Sequence, residues 1–323
     1  MKTIRFVRPF HGVLLCLVAA AGAGCGGDKG ITGPDRPVPN YVQLQSDAGD
    51  YIGAGHAYNY AQANADIAVT ATGGHLSIAI NGDEWWYGEF QTPSGNTQLR
   101  AGSYTAGVDW SGEGRGCGSA TGTFRIDSVT YVAGTLAAID LSFEQRCAGA
   151  TGALHGTVHW RSDDATRPAG PVRPIPAGLW QPPAGSTPSA GTYVYLQSDA
   201  GDYVGGGQTY TYVPGNSTIG ITTNGGRLSV TVDGWSGDFQ AMNTLSQMQA
   251  GYYADLHRYP FHNPAKGGLS WFGNGRGCNT LSGWFAIDGV TYVGSTLTAV
   301  DLRFEQHCEG GTPALHGAIH WSQ

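Results

Sequence analysis

Two short acidic turns hold the first residues in this chain whose types and spacing could do chemistry. Asp47 and Asp50 flank Gly49 in the run Ser-Asp-Ala-Gly-Asp-Tyr, and Asp199 and Asp202 flank Gly201 in an identical run further along. Two carboxylates three residues apart on a glycine turn could share a calcium ion, which takes oxygen ligands from an adaptable loop. The same residues would equally serve the turn itself, with Ser and Asp side chains capping backbone amides and glycine supplying a positive φ. Calcium is the one cofactor that this sequence suggests.

Histidines and acids recur near each end of the pattern. His155 and His159 lie in Ala-Leu-His-Gly-Thr-Val-His-Trp, and His316 and His320 lie in its second copy. If the apolar residues of that segment point inward, the histidines point outward. Four residues apart on a strand, they sit about 13 Å from each other and cannot hold one metal together. A hairpin that sets Cys147 opposite Leu154 would set His155 opposite Arg146 and His316 opposite His307, a pair suited to a weak metal ion or a pH response. Glu144 and Glu305, in Phe-Glu-Gln-x-Cys, share a strand face with Asp140 and Asp301 at about 13 Å. A glycosidase needs its carboxylates within roughly 5–9.5 Å. Arg115 and Arg276 are expected to pair with the glutamates as structural ion pairs. No Gly-x-Ser-x-Gly, His-Glu-x-x-His or glycine-rich phosphate loop occurs.

Aromatic residues are the remaining chemical signal. Trp85, Trp86 and Tyr87 stand together, and a second group, Tyr259, Phe261, His262, Trp271 and Phe272, falls between Tyr253 and Cys278. Such side chains could stack on sugar rings or anchor a protein contact.

A duplicated scaffold must position these residues. Residues 41–60 and 193–212 agree at 14 of 20 positions, and 115–160 and 276–321 agree at 28 of 46. Between Tyr104 and Cys117 the first copy is short. The second carries 12 more residues between Tyr253 and Cys278, so any divergent binding should map to that loop. Alternation of apolar and polar residues with period two predicts strands at 41–47, 55–60, 66–72, 75–81, 85–91, 122–132, 135–147 and 153–160. The strand 135–147 breaks its own parity at Gln145. Short strands at this density predict an all-β chain of two tandem β-sandwich, jelly-roll-like domains, over 41–162 and 193–323. The proline-rich run 163–192 predicts a semi-rigid spacer, in which Leu179 and Trp180 are apolar enough to dock on a domain. Cys117 and Cys147 are 30 apart, as are Cys278 and Cys308, which predicts one disulfide per domain and an oxidising compartment.

The N-terminal 25 residues read as an export signal. Lys2, Arg5 and Arg8 precede the apolar run 12–21, and Cys25 follows Gly22-Ala23-Gly24. Lipidation at Cys25, with 26–40 as a tether, is favoured over ordinary cleavage after Ala21-Gly22-Ala23. Charged residues make up 13% of the chain and the net charge is −7, with no basic run, which argues against nucleic-acid binding.

The set Ser-Asp-x-Gly-Asp-Tyr-[Ile/Val]-Gly-x-Gly, Gly-Arg-Gly-Cys, Phe-Glu-Gln-x-Cys and Ala-Leu-His-Gly resembles an uncharacterised repeat domain of secreted bacterial proteins. The resemblance covers nearly all of 41–160 and 193–321. It implies export and a β module, and brings no activity or site residues. The expectation from the whole sequence is a non-catalytic, lipid-anchored envelope protein that binds another envelope protein or membrane complex. A carbohydrate-binding module, calcium-assisted or not, is the alternative, and an enzyme of unknown class the third reading.

Overall fold

The computed structural model describes residues 38–323. Cys25, the export segment and most of the tether lie outside the described residues.

The first repeat is built from β1 (Tyr41–Ser46), β2 (Ala57–Ala61), β3 (Asp66–Thr72), β4 (His75–Asn81), β5 (Trp85–Gln91), β6 (Gly102–Tyr104), β7 (Val108–Gly112), β8 (Ala120–Val132), β9 (Thr135–Cys147) and β10 (Leu154–Arg161). The second repeats the plan with β11 (Tyr193–Ser198), β12 (Thr209–Tyr212), β13 (Ile219–Asn224), β14 (Arg227–Val232), β15 (Trp235–Gln240), β16 (Gly251–Arg258), β17 (Gly268–Gly273), β18 (Leu281–Val293), β19 (Thr296–Cys308) and β20 (Ala314–Ser322). The described chain is all-β, and each half carries its expected disulfide, Cys117–Cys147 and Cys278–Cys308.

In the first repeat a six-stranded sheet, β2-β1-β10-β9-β8-β6, faces a four-stranded one, β3-β4-β5-β7. Five of the nine consecutive strand pairs are neighbours, and the chain changes sheet after β2, β5, β6 and β7. The last strand, β10, lies beside the first, so the two ends of the repeat share one sheet. The second repeat joins the same two groups into one ten-stranded sheet, because β16 is longer than β6 and pairs parallel with β17 at His257–Gly268 and Arg258–Leu269. The extra residues of the second copy thus extend a strand until it stitches one edge of the sandwich.

The core explains the recurrent motifs. Phe143 stands opposite Gly156 in the β9–β10 register, and Phe304 opposite Gly317 in β19–β20. A Cβ on either glycine would lie 2.0 Å from the phenylalanine ring, so Ala-Leu-His-Gly is the cradle for Phe-Glu-Gln. Each ring also stacks on a fully buried tryptophan, Trp110 or Trp271, in the opposite group of strands. The parity break at Gln145 has a physical cause. Its buried amide accepts from the backbone N–H of Trp110 at 2.6 Å and donates to the carbonyl of Trp110 at 2.8 Å. Gln306 does the same to Trp271, at 2.8 Å both ways. A side-chain amide here replaces a ladder partner that the sandwich geometry cannot supply.

The interdomain run is not a free spacer. Val172 forms a two-way backbone bridge with Tyr252. The carbonyl of Trp180 accepts from Arg303 Nη1 at 2.7 Å, and the indole of Trp180 stacks on His316 at 4.9 Å.

Candidate ligand cleft in the second repeat

The acidic turns close on themselves. Buried Asp50 accepts from the Ser46 hydroxyl at 2.6 Å, the Ile52 N–H at 3.1 Å and the Gly53 N–H at 2.7 Å. Asp202 repeats this with Ser198, Val204 and Gly205. Asp47 turns away from Asp50 and meets His155 Nε2 at 3.2 Å. The imidazole hydrogen bond, then that of the Ala153 N–H, holds the Asp47 carboxyl below the usual range. Asp199 faces His316 Nε2 at 3.7 Å. The two carboxylates of each turn therefore do different jobs, one capping the turn and one pinning it to the last strand. This corrects the expectation that Asp47 with Asp50, or Asp199 with Asp202, converge on calcium. Among the described residues no group of three or more His, Cys, Asp or Glu side chains is arranged to hold a metal ion.

The hairpin register differs by two residues from the expected one. His155 faces Glu144 and His316 faces Glu305 across the strands. Each histidine is thus bracketed by two carboxylates, His155 by Asp47 and Glu144, His316 by Asp199 and Glu305. His307 reaches Glu305 from the same strand at 3.2 Å, so the two histidines share a glutamate instead of facing each other. Hydrogen bonding from His316 lowers the Glu305 carboxyl to about 2, against the opposing effect of partial burial. His159 and His320 lie 2.5 Å from Asp140 and Asp301. Ser128 also donates to Asp140, at 2.6 Å. There the carboxylate stands between hydroxyl and imidazole, whereas a Ser-His-Asp triad needs the imidazole in the middle. The second repeat has Gly289 at the corresponding register position, so the hydroxyl is not shared.

The arginines also depart from expectation. Arg115 does not pair with a glutamate: its Nε donates to the Ile52 carbonyl at 2.6 Å, and its guanidinium lies 5.8 Å from the Trp86 ring. Arg276 lies 5.7 Å from the Trp235 ring, and its Nε is buried without a hydrogen-bond partner among the described residues.

The aromatic candidates separate by burial. Trp86 and Trp271 are fully buried core residues, which corrects their assignment as ligand-contact residues. Inward parity on β5 and β17 puts them there. Trp85, with Tyr87 edge-on at 6.1 Å, stays on the outer face of β5. Phe261 and Phe272 are exposed, at 73% and 41%. Tyr259 is half-buried, its hydroxyl accepting from Arg227 Nη1 at 2.6 Å. His262 packs beside Tyr259 at 5.4 Å, and its burial pushes the imidazole below its ordinary range.

The inserted loop has two faces. One closes on the first repeat. Asn263 Oδ1 accepts from the Ala265 N–H at 2.9 Å and shapes the turn, which aims its amide N–H groups at the Asn64 carbonyl (2.9 Å) and Asp83 Oδ1 (3.1 Å). Lys266 Nζ meets Asp83 Oδ2 at 2.8 Å. The other face walls a cleft of about 470 Å³, lined among others by Asp238, Arg258, Tyr259, Ser270, Phe272 and Arg276. It combines an exposed phenylalanine, a tyrosine, two guanidinium groups, a carboxylate and a hydroxyl. Small-molecule sites have this composition, apolar walls with a few converging polar groups. Sequence reasoning found the loop and two of its rings. It missed Asp238, Arg258 and Ser270, although Arg258-Tyr259 inside the insertion was a readable signal. The role of Asn263 and Lys266 had no such signal.

No family model matches the chain, and no curated protein matches it. Among solved structures it is similar to a crystal structure of a protein of unknown function from the DUF3598 family of Nostoc punctiforme, at 8% identity and a TM-score of 0.20, over 88% of this chain and 94% of the other.

Proposed function

We propose that this chain is a non-catalytic binding module of the bacterial envelope, tethered through Cys25, and that it takes a glycan in the cleft of its second repeat. The observation that carries the reading is the cleft itself. Phe272 presents a half-exposed ring beside Asp238 and Ser270, which are register partners on β15 and β17. A flat apolar ring suits the C–H face of a sugar, and the carboxylate and hydroxyl suit its hydroxyls. The first repeat lacks the insertion and has Ser111 at the register position of Phe272, which supports one site per chain. The two disulfides support export to an oxidising compartment. Glycan-array binding followed by titration calorimetry tests the proposal. Phe272→Ala should abolish binding without changing the melting temperature, and a wild-type chain that binds no glycan on the array removes the reading.

A second reading, contact with another envelope protein, is favoured by Trp85 and Tyr87 on the outer face of the first repeat. Cross-linking in intact cells, compared between the wild type and Trp85→Ser, tests it. Loss of a specific adduct supports it, and an unchanged pattern counts against it.

A further inference from the structure

We infer that the ligand of the second-repeat cleft carries a carboxylate, and that the saccharide it selects contains uronic acid units. The inference rests on the glycan reading above and adds the charge of the ligand to it. The chain as a whole is acidic, with 17 basic against 24 acidic residues, yet arginines gather at this cleft. Arg258 and Arg276 line it, and Arg227 stands behind Tyr259.

The single lining carboxylate already has one oxygen, Oδ1, engaged within the protein. Asp238 accepts from the Ser229 hydroxyl at 2.7 Å and lies 3.9 Å from Arg227 Nε. Arg258 and Arg276, by contrast, make no ion pair within 4.0 Å among the described residues. Among the described residues, Arg258 donates only to the Asn279 carbonyl, at 3.2 Å, and rests over Phe261 at 5.5 Å.

The first repeat supplies an internal control. Its Arg115 occupies the position of Arg276 but is tied to the Ile52 carbonyl, and it has no counterpart of Arg258, which the insertion brings. The arginine common to both copies packs on a buried tryptophan in each, but in the second copy its Nε has no carbonyl partner among the described residues and Arg258 joins it at the cleft. The guanidinium fork matches a carboxylate in a way that a neutral hydroxyl does not reward. A ring lying on Phe272 with its carboxylate toward Arg258 would satisfy both requirements at once. An acidic peptide would also meet the arginines. It brings no flat C–H face to cover the exposed ring of Phe272, so the saccharide is favoured.

Calorimetry on the full chain in detergent tests the inference. The probes are oligosaccharides of galacturonate, glucuronate and mannuronate, each paired with its methyl ester, and polyglutamate. One acidic oligomer should bind at least about tenfold more tightly than its ester, the scale of one charge-assisted hydrogen bond. That preference should weaken with added salt. Arg258→Gln should collapse the acid-over-ester preference to near unity, weakening the acid far more than the ester, and Phe272→Ala should abolish binding of both forms alike. Arg125→Gln, on the first repeat, should change neither. Equal binding of acid and ester overturns the inference and leaves the glycan reading standing. Tighter binding of polyglutamate than of every saccharide overturns it in favour of an acidic peptide. Binding of none of the probes overturns the inference, and the glycan array then decides the fate of the broader reading.

Discussion

Asn263 of the second repeat donates to Asp83 of the first across 3.1 Å, and only the inserted loop can make that bond. The residue is 2% exposed, and the same amide also serves the Asn64 carbonyl. The longest difference between the copies thus binds, first of all, the other copy.

Removing that contact should uncouple the repeats. The variant Asn263→Ala with Lys266→Ala should lose about 1–3 kcal/mol of coupling, the cost of leaving buried polar groups unpaired. Calorimetry should then resolve two unfolding transitions in place of one, and an unchanged single transition would sink the idea. Burial alone would raise the Asp83 carboxyl, but Lys266 and Asn263 outweigh it and lower it from 3.8. Its contribution to coupling is therefore full above that value and is lost as pH falls through the lowered one.

Gln306 should matter more than a polar residue at a strand position ordinarily does. Gln306→Leu keeps the volume but strands both the N–H and the carbonyl of Trp271, which should destabilise the second repeat by about 2–4 kcal/mol. Urea unfolding monitored by tryptophan fluorescence measures this. A loss under about 0.5 kcal/mol, the level of an ordinary surface change, would contradict the bracing role.

Glu305 predicts an acid limb to stability. Its folded carboxyl is lowered to about 2 from 4.5, chiefly by His316. The stabilisation is therefore complete above about pH 4.5 and is lost between there and about pH 2, as the folded-state group takes up its proton. Denaturant midpoints measured across that window should fall steeply for the wild type and less steeply for Glu305→Gln. Equal slopes would show that other carboxylates carry the effect.

The acidic turns should be indifferent to calcium. Asp202→Ala removes the acceptor of one hydroxyl and two backbone amides and should cost about 2–4 kcal/mol, whereas exposed Asp199→Ala should cost less. Added calcium should leave the wild-type melting temperature unmoved. A rise that Asp202→Ala abolishes would reinstate an ion site.

Much of the scaffold was legible because its rules are local. Period-two alternation located eight strands of the first repeat within a few residues, and equal spacing in two copies paired the cysteines. The short strands β6 and β7 were not legible, since three and five residues between glycines carry too little periodicity. The hairpin register was misjudged by two residues, because the loop 148–153 gives no count of how many of its residues leave the ladder. That slip paired His316 with His307 on paper, where the fold gives it Glu305. Trp86 and Trp271 looked like ligand contacts because they adjoin exposed aromatics. A strand sends adjacent side chains to opposite faces, so Trp85 and Phe272 face out where their neighbours face in.

The sequence by itself determined the duplication, the all-β class, the disulfides and the importance of the loop between Tyr253 and Cys278. These follow from repetition and from periodicity along one chain. Only the tertiary structure decided what the loop touches. Asn263 and Asp83 are 180 residues apart. Arg258 and Asp238 likewise meet at the cleft only because β16, β17 and β15 lie side by side in one sheet. Contacts of that kind depend on strand order and register, which no local pattern of residue types encodes.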